Sequence, residues 1–246
     1  MSNERFEAAR KRIILPLDVP NADAALKVAE MMNGRVGLFK VGLELFLSKH
    51  GGHAVVERLQ AEAPDTEIML DLKIKDIPNT NQGAVRSVME LKPRFLTVHA
   101  DSGIAHVAAC VEAAGPKIGI LGVTVLTSID DKAYQESGGI GSIQDAVIAR
   151  AQCVDMAKGA GIVCSPMELV ALSFQIDSNL YRVVPGVRPA WAAANDQMRI
   201  MTPAEAIRAG ASYLVIGRPI LKPPPAVGSP LAAARLIAEE IASALE

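Results

Sequence analysis

The chain has 246 residues, of which 50% are apolar, 21% charged and 4% aromatic. This apolar fraction excludes a disordered protein, and the length is sufficient for one large hydrophobic core. The 25 basic and 27 acidic side chains give a net charge of −2, which argues against nucleic acid as a partner but leaves room for a small anionic ligand.

Three cysteines, Cys110, Cys153 and Cys164, are widely spaced and include no C-x-x-C pair. We therefore expect neither a disulfide framework nor a structural zinc site. Segment 1–12 is charged and lacks the apolar core of a secretory signal. No apolar run reaches the roughly 18 residues that a membrane span needs, so we expect a reduced, cytoplasmic protein with no membrane partner.

Short apolar runs alternate with longer amphipathic segments along the whole chain. The predicted strands are Ile13–Asp18, Leu38–Val41, Ile68–Lys73, Phe95–His99, Ile118–Thr124, Gly161–Val163, Tyr181–Pro185 and Tyr213–Ile216. The predicted helices are Ala22–Met32, Ala54–Ala63, Thr80–Leu91, Ile104–Ala114, Gln144–Lys158, Pro166–Phe174, Thr202–Ala209 and Leu231–Leu245. Strands that alternate with helices pair in parallel through crossover helices.

Eight such units in this length predict an α/β fold of the (β/α)8 TIM-barrel class, with residues 1–246 as a single domain. A doubly wound sheet is disfavoured because no G-x-G-x-x-G motif follows the first strand. The polar, glycine-containing stretch Thr127–Gly141 is predicted to be a long loop, of the kind that often forms a lid or binding loop.

In such a barrel the site lies at the carboxyl ends of the strands. Asp18, Lys40, Asp71 and Lys73 stand at or near the ends of the first three predicted strands. Strand alternation places Asp71 and Lys73 on one face. Asp71 and Lys73 could form an ion pair that only caps the barrel. Four charged side chains directed inward favour a functional site instead, because burying charges costs free energy. Such an array could hold a proton donor beside a carbanion.

The predicted seventh and eighth strands are followed by Pro185-Gly186-Val187-Arg188 and Gly217-Arg218. In many barrels these two loops bind phosphate. A glycine allows close backbone approach, and an arginine binds an anion through two hydrogen bonds. Either arginine alone could be an ordinary surface residue, but together they favour a phosphorylated ligand.

Other polar residues are weaker candidates. His50 and His53 are separated by two glycines that break a helix, so we expect no metal site there. His99 is either catalytic or a hydrogen-bonded structural residue, and His106 is expected to be a bystander on a helix. We expect Cys164 to be a small apolar residue, since no base is identifiable beside it.

Several short strings occur in a fixed order. They are Leu17-Asp18-Val19, Phe39-Lys40-Val41-Gly42, Asp71-Leu72-Lys73-Ile74-Lys75-Asp76-Ile77-Pro78-Asn79-Thr80, Thr97-Val98-His99-Ala100, Gly122-Val123-Thr124-Val125-Leu126-Thr127-Ser128, Pro185-Gly186-Val187-Arg188-Pro189 and Tyr213-Leu214-Val215-Ile216-Gly217-Arg218-Pro219-Ile220. In this order the chain resembles the orotidine 5′-monophosphate decarboxylase family over nearly its whole length. The D-x-K-x-x-D-I-P-x-T string is the most specific of these motifs.

The resemblance implies decarboxylation of orotidine 5′-monophosphate to UMP, without a cofactor or metal, in pyrimidine biosynthesis. It implies that Lys73 protonates C6 after CO₂ leaves and that Asp71 lies against the substrate carboxylate. Asp18 and Lys40 would hold the ribose hydroxyls, with Lys40 also a member of the charged array. Lys75 stands where many bacterial relatives have His; because it is outside that array, we expect no change in chemistry.

The resemblance also assigns residues to the rest of the substrate and to a partner subunit. The implied contacts are Thr127 and Ser128 to the pyrimidine, and Arg188, Gln197, Gly217 and Arg218 to the phosphate, with Pro185 also a substrate-binding residue. Asp76 and Thr80 would reach into the neighbouring subunit's site, which implies a homodimer with shared active sites. Spacing alone favours a different role, in which both residues are local caps of the next helix.

Two rival functions follow from the same residues. Magnesium-dependent sugar-phosphate decarboxylases or aldolases share the barrel and the D-x-K-x-x-D string. They generally place a glutamate ligand of the metal where this chain has Lys40. The Lys40 ammonium would repel Mg²⁺, so this function is disfavoured. A catalytically silent protein that binds a phosphorylated ligand is expected to have lost part of the array. Here Asp18, Lys40, Asp71, Lys73 and Asp76 are all present.

Overall fold

A computed structural model describes residues 3–192 and 201–245 of the chain. Eight parallel strands form a closed barrel in which each strand pairs with the next and the last pairs with the first. They are β1 (Ile13–Pro16), β2 (Leu38–Gly42), β3 (Glu67–Ile74), β4 (Phe95–His99), β5 (Gly119–Val123), β6 (Gly161–Val163), β7 (Tyr181–Pro185) and β8 (Tyr213–Val215). The predicted (β/α)8 barrel is confirmed, with three strands at their predicted bounds and the ends of the other five within two residues of them.

Helices surround the barrel. They are α1 (Asn3–Arg10), α2 (Ala22–Met32), α3 (Leu43–Leu47), α4 (Gly52–Glu62), α5 (Pro78–Ser87), α6 (Ile104–Ala114), α7 (Asp131–Glu136), α8 (Ile143–Met156), α9 (Leu169–Ser173), α10 (Pro203–Arg208), α11 (Arg218–Leu221) and α12 (Pro230–Ala242). Polar side chains satisfy the first backbone N–H groups of five of them, namely Asn21, Asp130, Ser142, Thr202 and Ser229. In the described part of the chain, no helix is long and apolar enough to cross a membrane.

Four helices were not expected from the sequence. Helix α7 lies inside the stretch Thr127–Gly141, so the prediction of a continuous loop there is wrong. Asp130 caps α7 by accepting a hydrogen bond from the Ala133 N–H. The other three are α1, α3 and α11, of which α3 and α11 have five and four residues, too few for a helical period to be visible.

The hydrophobic core has two layers, separated by the barrel wall. The inner layer is formed by Ile14, Leu38, Met69, Phe95, Leu121 and Val183. The outer layer packs the other face of the strands against the helices. All four residues of β1 are buried, which explains why its sequence is continuously apolar rather than alternating.

An aromatic cluster closes the amino end of the barrel. Phe95, Tyr181 and Tyr213 are the first residues of β4, β7 and β8, and their rings meet edge to face with centroids 5.4 to 5.6 Å apart. The Arg94 guanidinium lies 5.0 Å from the centre of the Phe95 ring. The barrel interior is therefore filled by aromatic side chains at this end.

Candidate active site

A cavity of about 260 Å³ opens at the carboxyl end of the barrel. Its lining combines four charged residues with a mostly apolar wall. The lining residues are Pro16, Asp18, Lys40, Met69, Asp71, Lys73, Val123, Val125, Leu126, Thr127, Val163, Pro185 and Val215. Since they come from seven of the eight strands or the loops after them, the closed barrel itself brings the predicted charged residues together.

The four charged side chains form a chain of alternating sign. Lys40 Nζ lies 3.3 Å from Asp18 Oδ1 and 3.2 Å from Asp71 Oδ2. Lys73 Nζ lies 2.8 Å from that same Asp71 oxygen. We refer to Asp18, Lys40, Asp71 and Lys73 as the charged array. The array has no net charge. Lys40 and Asp71 are its buried members, with side chains 13% and 12% exposed, and their pairing is what makes this burial tolerable. The expectation that all four charges are buried is wrong for Asp18, whose side chain is 64% exposed at the outer end of the array.

Asp71 is the centre of the array and is 8% exposed. Burial alone would raise the pKa of its carboxyl group, but the charges of Lys40 and Lys73 and hydrogen bonds from Lys73 and Thr97 together lower the pKa below its ordinary value. Asp71 is therefore an anion at neutral pH. Each lysine has this carboxylate as a counter-ion inside the cavity.

Strand β3 is irregular where it carries the array. It advances four residues from Leu70 to Ile74 while β4 advances only two, from Leu96 to Val98. Lys73, within this bulge, has a left-handed backbone with φ of +50°, a conformation that is costly for any residue other than glycine. Asp71 and Lys73 do face the same cavity, as predicted, but a regular strand alternation is not the reason.

Thr97 is a site residue for which we predicted no role. It lies in the middle of β4 and is fully buried. Its hydroxyl donates a hydrogen bond to Asp71 Oδ1 and accepts one from the Lys73 backbone N–H, each at 3.0 Å. Sequence reasoning missed it because the contact depends on the bulge in the neighbouring strand.

The two predicted phosphate-binding segments follow β7 and β8. Gly186 has φ of +79°, and the Arg188 backbone N–H donates to the Met201 carbonyl at 3.1 Å. Gly217 precedes Arg218, and a Cβ atom at Gly217 would lie 2.8 Å from Pro16 Cγ. Glycine therefore lets this turn pack against β1 at the cavity.

Arg188 and Arg218 differ in exposure. Arg188 is 8% exposed, whereas Arg218, the first residue of α11, is exposed. Neither arginine lines the 260 Å³ cavity, so an anion at these loops would lie beside the charged array. Gln197, the remaining predicted phosphate contact, falls outside the described residues.

Of the other predicted substrate contacts, Thr127 and Pro185 line the cavity and Ser128 does not. Ser128 is exposed and follows Thr127 in the loop after β5.

A second cavity of about 440 Å³ adjoins the first and shares Thr127, Leu126 and Val125 with it. Glu168 lines this second cavity, and burial raises the pKa of its carboxyl group to about 7.

Asp76 and Thr80 lie outside the cavity of their own chain and are exposed. Asp76 Oδ1 accepts a hydrogen bond from the next backbone N–H, that of Ile77. The interpretation of Thr80 as a helix cap is wrong, because α5 begins at Pro78 with Ile77 at the capping position and no side-chain cap. Pro78 at the first helical position has no N–H to satisfy, and this favours the earlier start.

Two side chains near Asp76, those of His106 and Lys75, make polar contacts in this region. His106 Nδ1 lies 2.9 Å from the Asp76 carbonyl oxygen, so His106 is not the bystander that we expected. Lys75 forms a 2.8 Å ion pair with Asp101, in the turn after β4. His99 does not line the cavity, and burial is the main cause that lowers its pKa.

Comparison with known proteins identifies the family. The sequence profile described as "Orotidine 5'-phosphate decarboxylase / HUMPS family" matches residues 11–235. The chain belongs to this family. It is 46% identical over 228 residues to the orotidine 5'-phosphate decarboxylase of Anaeromyxobacter dehalogenans, covering 93% of this chain and 97% of that protein.

Two further relatives of the orotidine 5'-phosphate decarboxylase / HUMPS family agree with this assignment. The decarboxylase of Thermobifida fusca is 44% identical over 229 residues, with 93% of this chain and 95% of that protein covered. The crystal structure of orotidine 5'-phosphate decarboxylase from Lactobacillus acidophilus is similar, with a TM-score of 0.79 and 30% identity over 93% of this chain and 98% of that one.

Proposed function

We propose that this protein is an orotidine 5′-monophosphate decarboxylase that forms UMP, and that residues 1–246 act as one catalytic barrel. The family and the names of the relatives at 44–46% identity support this activity. The observation that carries the proposal is the charged array, in which one buried carboxylate contacts two ammonium groups in a cavity at the carboxyl end of the barrel.

In the proposed reaction the bond between C6 of the pyrimidine and its carboxylate carbon breaks. CO₂ leaves, and the electron pair remains on C6 as a carbanion in the plane of the ring, where the π-system does not delocalise it. The Lys73 ammonium stabilises this charge and then transfers a proton to C6, which gives UMP. The resulting Lys73 amine recovers its proton from solvent.

Asp71 and Lys40 complete this proposal. Asp71, as an anion, holds Lys73 at 2.8 Å and would lie against the substrate carboxylate, whose loss relieves the repulsion between the two negative charges. Lys40, in contact with both Asp18 and Asp71, would bind a ribose hydroxyl together with Asp18. A fixed array needs little reorganisation as charge moves from the carboxylate to C6.

The phosphate would be bound beside the array. Arg188, Arg218 and the backbone at Gly217 follow adjacent strands at the same end of the barrel, and Gln197 is proposed to join them. An arginine pairs well with a phosphate group through two parallel hydrogen bonds. Binding energy at this remote group can be used to close the site over the reacting pyrimidine, to which Thr127 and Ser128 would bind.

We further propose a homodimer in which Asp76 and Thr80 contribute to the partner subunit's site. Both side chains are exposed and point outside their own cavity. Ile77, next to Asp76, is 62% exposed. An interface that covers Asp76 and Thr80 would remove this apolar side chain from water as well.

The reaction is proposed to need no metal or cofactor. The positive charges come from lysines of the chain itself, and the Lys40 ammonium occupies a position at which it would repel Mg²⁺. This distinguishes the proposal from the magnesium-dependent rivals within the same barrel class.

The test is the loss of ultraviolet absorbance when purified protein is added to orotidine 5′-monophosphate. We expect conversion to UMP, at the same rate after exhaustive EDTA treatment. Activity that disappears with EDTA and returns with Mg²⁺ would favour the aldolase-like rival. Tight binding of UMP without any turnover would favour the silent binding protein.

A further inference from the structure

A buried threonine outside the charged array contacts both its central carboxylate and the backbone of its proposed proton donor. Thr97 Oγ1 lies 3.0 Å from Asp71 Oδ1 and 3.0 Å from the Lys73 backbone nitrogen. The hydroxyl donates its single proton to the carboxylate and accepts the N–H. Both polar capacities of this fully buried group are therefore used within the site.

The two contacts have different consequences for the array. Asp71 Oδ2 is occupied by Lys40 and Lys73, so the bond from Thr97 to Oδ1 fixes the rotation of the carboxylate about its last bond. That rotation determines where Oδ2 lies, and Oδ2 determines where both ammonium groups lie. Removal of the hydroxyl would leave a buried carboxylate oxygen with one hydrogen bond fewer.

The second contact supports an unfavourable backbone conformation. Inside the bulge between Leu70 and Ile74, the regular ladder to β4 is interrupted, and the Lys73 N–H donates to a side chain of β4 instead of to a backbone carbonyl. Lys73 has φ of +50° at this point. A residue other than glycine keeps a left-handed backbone only where the surrounding structure holds it in place. The hydrogen bond to the Thr97 hydroxyl provides one such constraint.

We propose that Thr97 is a positioning residue of the catalytic site, which fixes the orientation of the Asp71 carboxylate and the bulged backbone of Lys73 with one hydroxyl group. It acts through those two residues and needs no contact with the substrate. The inference rests on the proposed function for its kinetic test, but the contact of Thr97 with Asp71 is testable without substrate.

The experiment compares Thr97→Val, which keeps the shape and removes the hydroxyl, with Thr97→Ser, which keeps the hydroxyl. The matched control is Thr66→Val. Thr66 lies just before β3, at the opposite end of the barrel. It is also buried, and its hydroxyl accepts a hydrogen bond from the Gly34 N–H. Thr97→Ala lacks the same hydroxyl and replaces Thr97→Val if valine prevents folding.

For decarboxylation of orotidine 5′-monophosphate, we expect Thr97→Val to lower kcat by about tenfold to a hundredfold, the loss that follows a small misplacement of a catalytic group. KM should change by much less, and Thr97→Ser should restore most of kcat. Thr66→Val should lose thermal stability but keep kcat. Equal kcat values for Thr97→Val and Thr66→Val would overturn the proposal.

The second readout is the titration of the Asp71 carboxyl carbon, followed by ¹³C NMR and assigned with Asp71→Asn. Because the hydroxyl stabilises the anion, Thr97→Val should move the titration to higher pH, whereas Thr97→Ser and Thr66→Val should leave it in place. An unchanged titration in Thr97→Val contradicts the proposed role. If the wild-type protein does not decarboxylate the nucleotide, the proposed function fails while this titration still tests Thr97.

Discussion

The ammonium group of Lys73 lies 2.8 Å from Asp71 Oδ2, and the ammonium group of Lys40 lies 3.2 Å from the same oxygen. One carboxylate oxygen therefore has two cationic neighbours, and the pKa of Asp71 is lowered although burial acts in the opposite direction. A carboxylate placed between two ammonium groups keeps both in fixed positions. This relationship fixes the ammonium group of Lys73, the proposed proton donor, inside the cavity and determines the first prediction.

Replacing Lys73 by alanine should abolish turnover and leave nucleotide binding nearly intact. The proposed proton donor and the positive charge near C6 are both lost, so we expect kcat to fall by at least about a thousandfold. The segments that are proposed to bind the phosphate lie beside the array rather than in it, so UMP should bind with a Kd within about tenfold of the wild type. Stopped assays of UMP formation and calorimetric titration with UMP measure the two effects.

Lys75→Ala is the matched control, because this lysine lies on the same segment but pairs with Asp101 at the surface. It should retain activity. Turnover by Lys73→Ala at the rate of Lys75→Ala would show that the proton comes from another group.

Arg218→Ala should act mainly on binding. If Arg218 contacts the phosphate, its loss removes charged hydrogen bonds worth about 1.5–3 kcal/mol, which corresponds to an increase in KM of about tenfold to a hundredfold. Steady-state kinetics would measure this. Arg235→Ala, which removes an exposed arginine of α12 that pairs with Glu239, should leave KM unchanged. A KM for Arg218→Ala equal to that of Arg235→Ala would remove Arg218 from the phosphate site.

The barrel and most of the array could be predicted because they depend on local features. Strands buried on both faces are continuously apolar, as in β1, and this signal survives in a single sequence. Asp71 and Lys73 could be placed near a strand end because they follow the apolar run Ile68-Met69-Leu70 of β3. Since the carboxyl ends of all eight strands converge in a closed barrel, knowing the fold was enough to bring Asp18 and Lys40 to the same cavity.

The details that arise between strands could not be predicted. The contacts of Thr97 with Asp71 and Lys73 depend on two extra residues of β3 opposite β4, and no periodicity in either strand indicates that bulge. The start of α5 at Pro78 rather than Thr80 reflects a choice between two possible first turns. The contact of His106 with the Asp76 carbonyl joins residues 30 positions apart, which only the packed structure reveals.

The raised pKa of Glu168, about 7 compared with an ordinary value of 4.5, predicts a pH dependence of stability. Between these two values the folded protein holds a proton that the unfolded chain has released. The contribution of Glu168 to the free energy of unfolding therefore decreases as pH rises from about 4.5 to about 7. Glu168→Gln keeps an oxygen to accept the Ser165 N–H but has no proton to lose, so it should remove this decrease.

Urea unfolding at pH 5 and at pH 8 measures the effect of Glu168→Gln. The quantity compared is the free energy of unfolding of the variant minus that of the wild type. This difference should be larger at pH 8 than at pH 5 by about 1–3 kcal/mol. Glu62→Gln, at the exposed end of α4, controls for the loss of one carboxylate. Identical pH dependence in Glu168→Gln and Glu62→Gln would mean that Glu168 titrates as an ordinary surface group.

The last prediction concerns the shared site. Asp76 is exposed and does not line the cavity of its own chain, and it is proposed to complete the site of a two-fold related partner. Asp76→Ala and Lys73→Ala homodimers should each be inactive. In a mixed dimer, one site carries both substitutions and the other carries neither, because the two residues of each site come from different subunits.

Random exchange between the two inactive variants makes half of the dimers mixed, and each has one intact site. Activity should therefore return to about a quarter of the wild-type value if the sites are independent. Different affinity tags on the two variants allow the mixed dimers to be isolated, and their activity should be about half that of the wild type for the same reason. Isolated mixed dimers without activity would mean that Asp76 serves its own subunit.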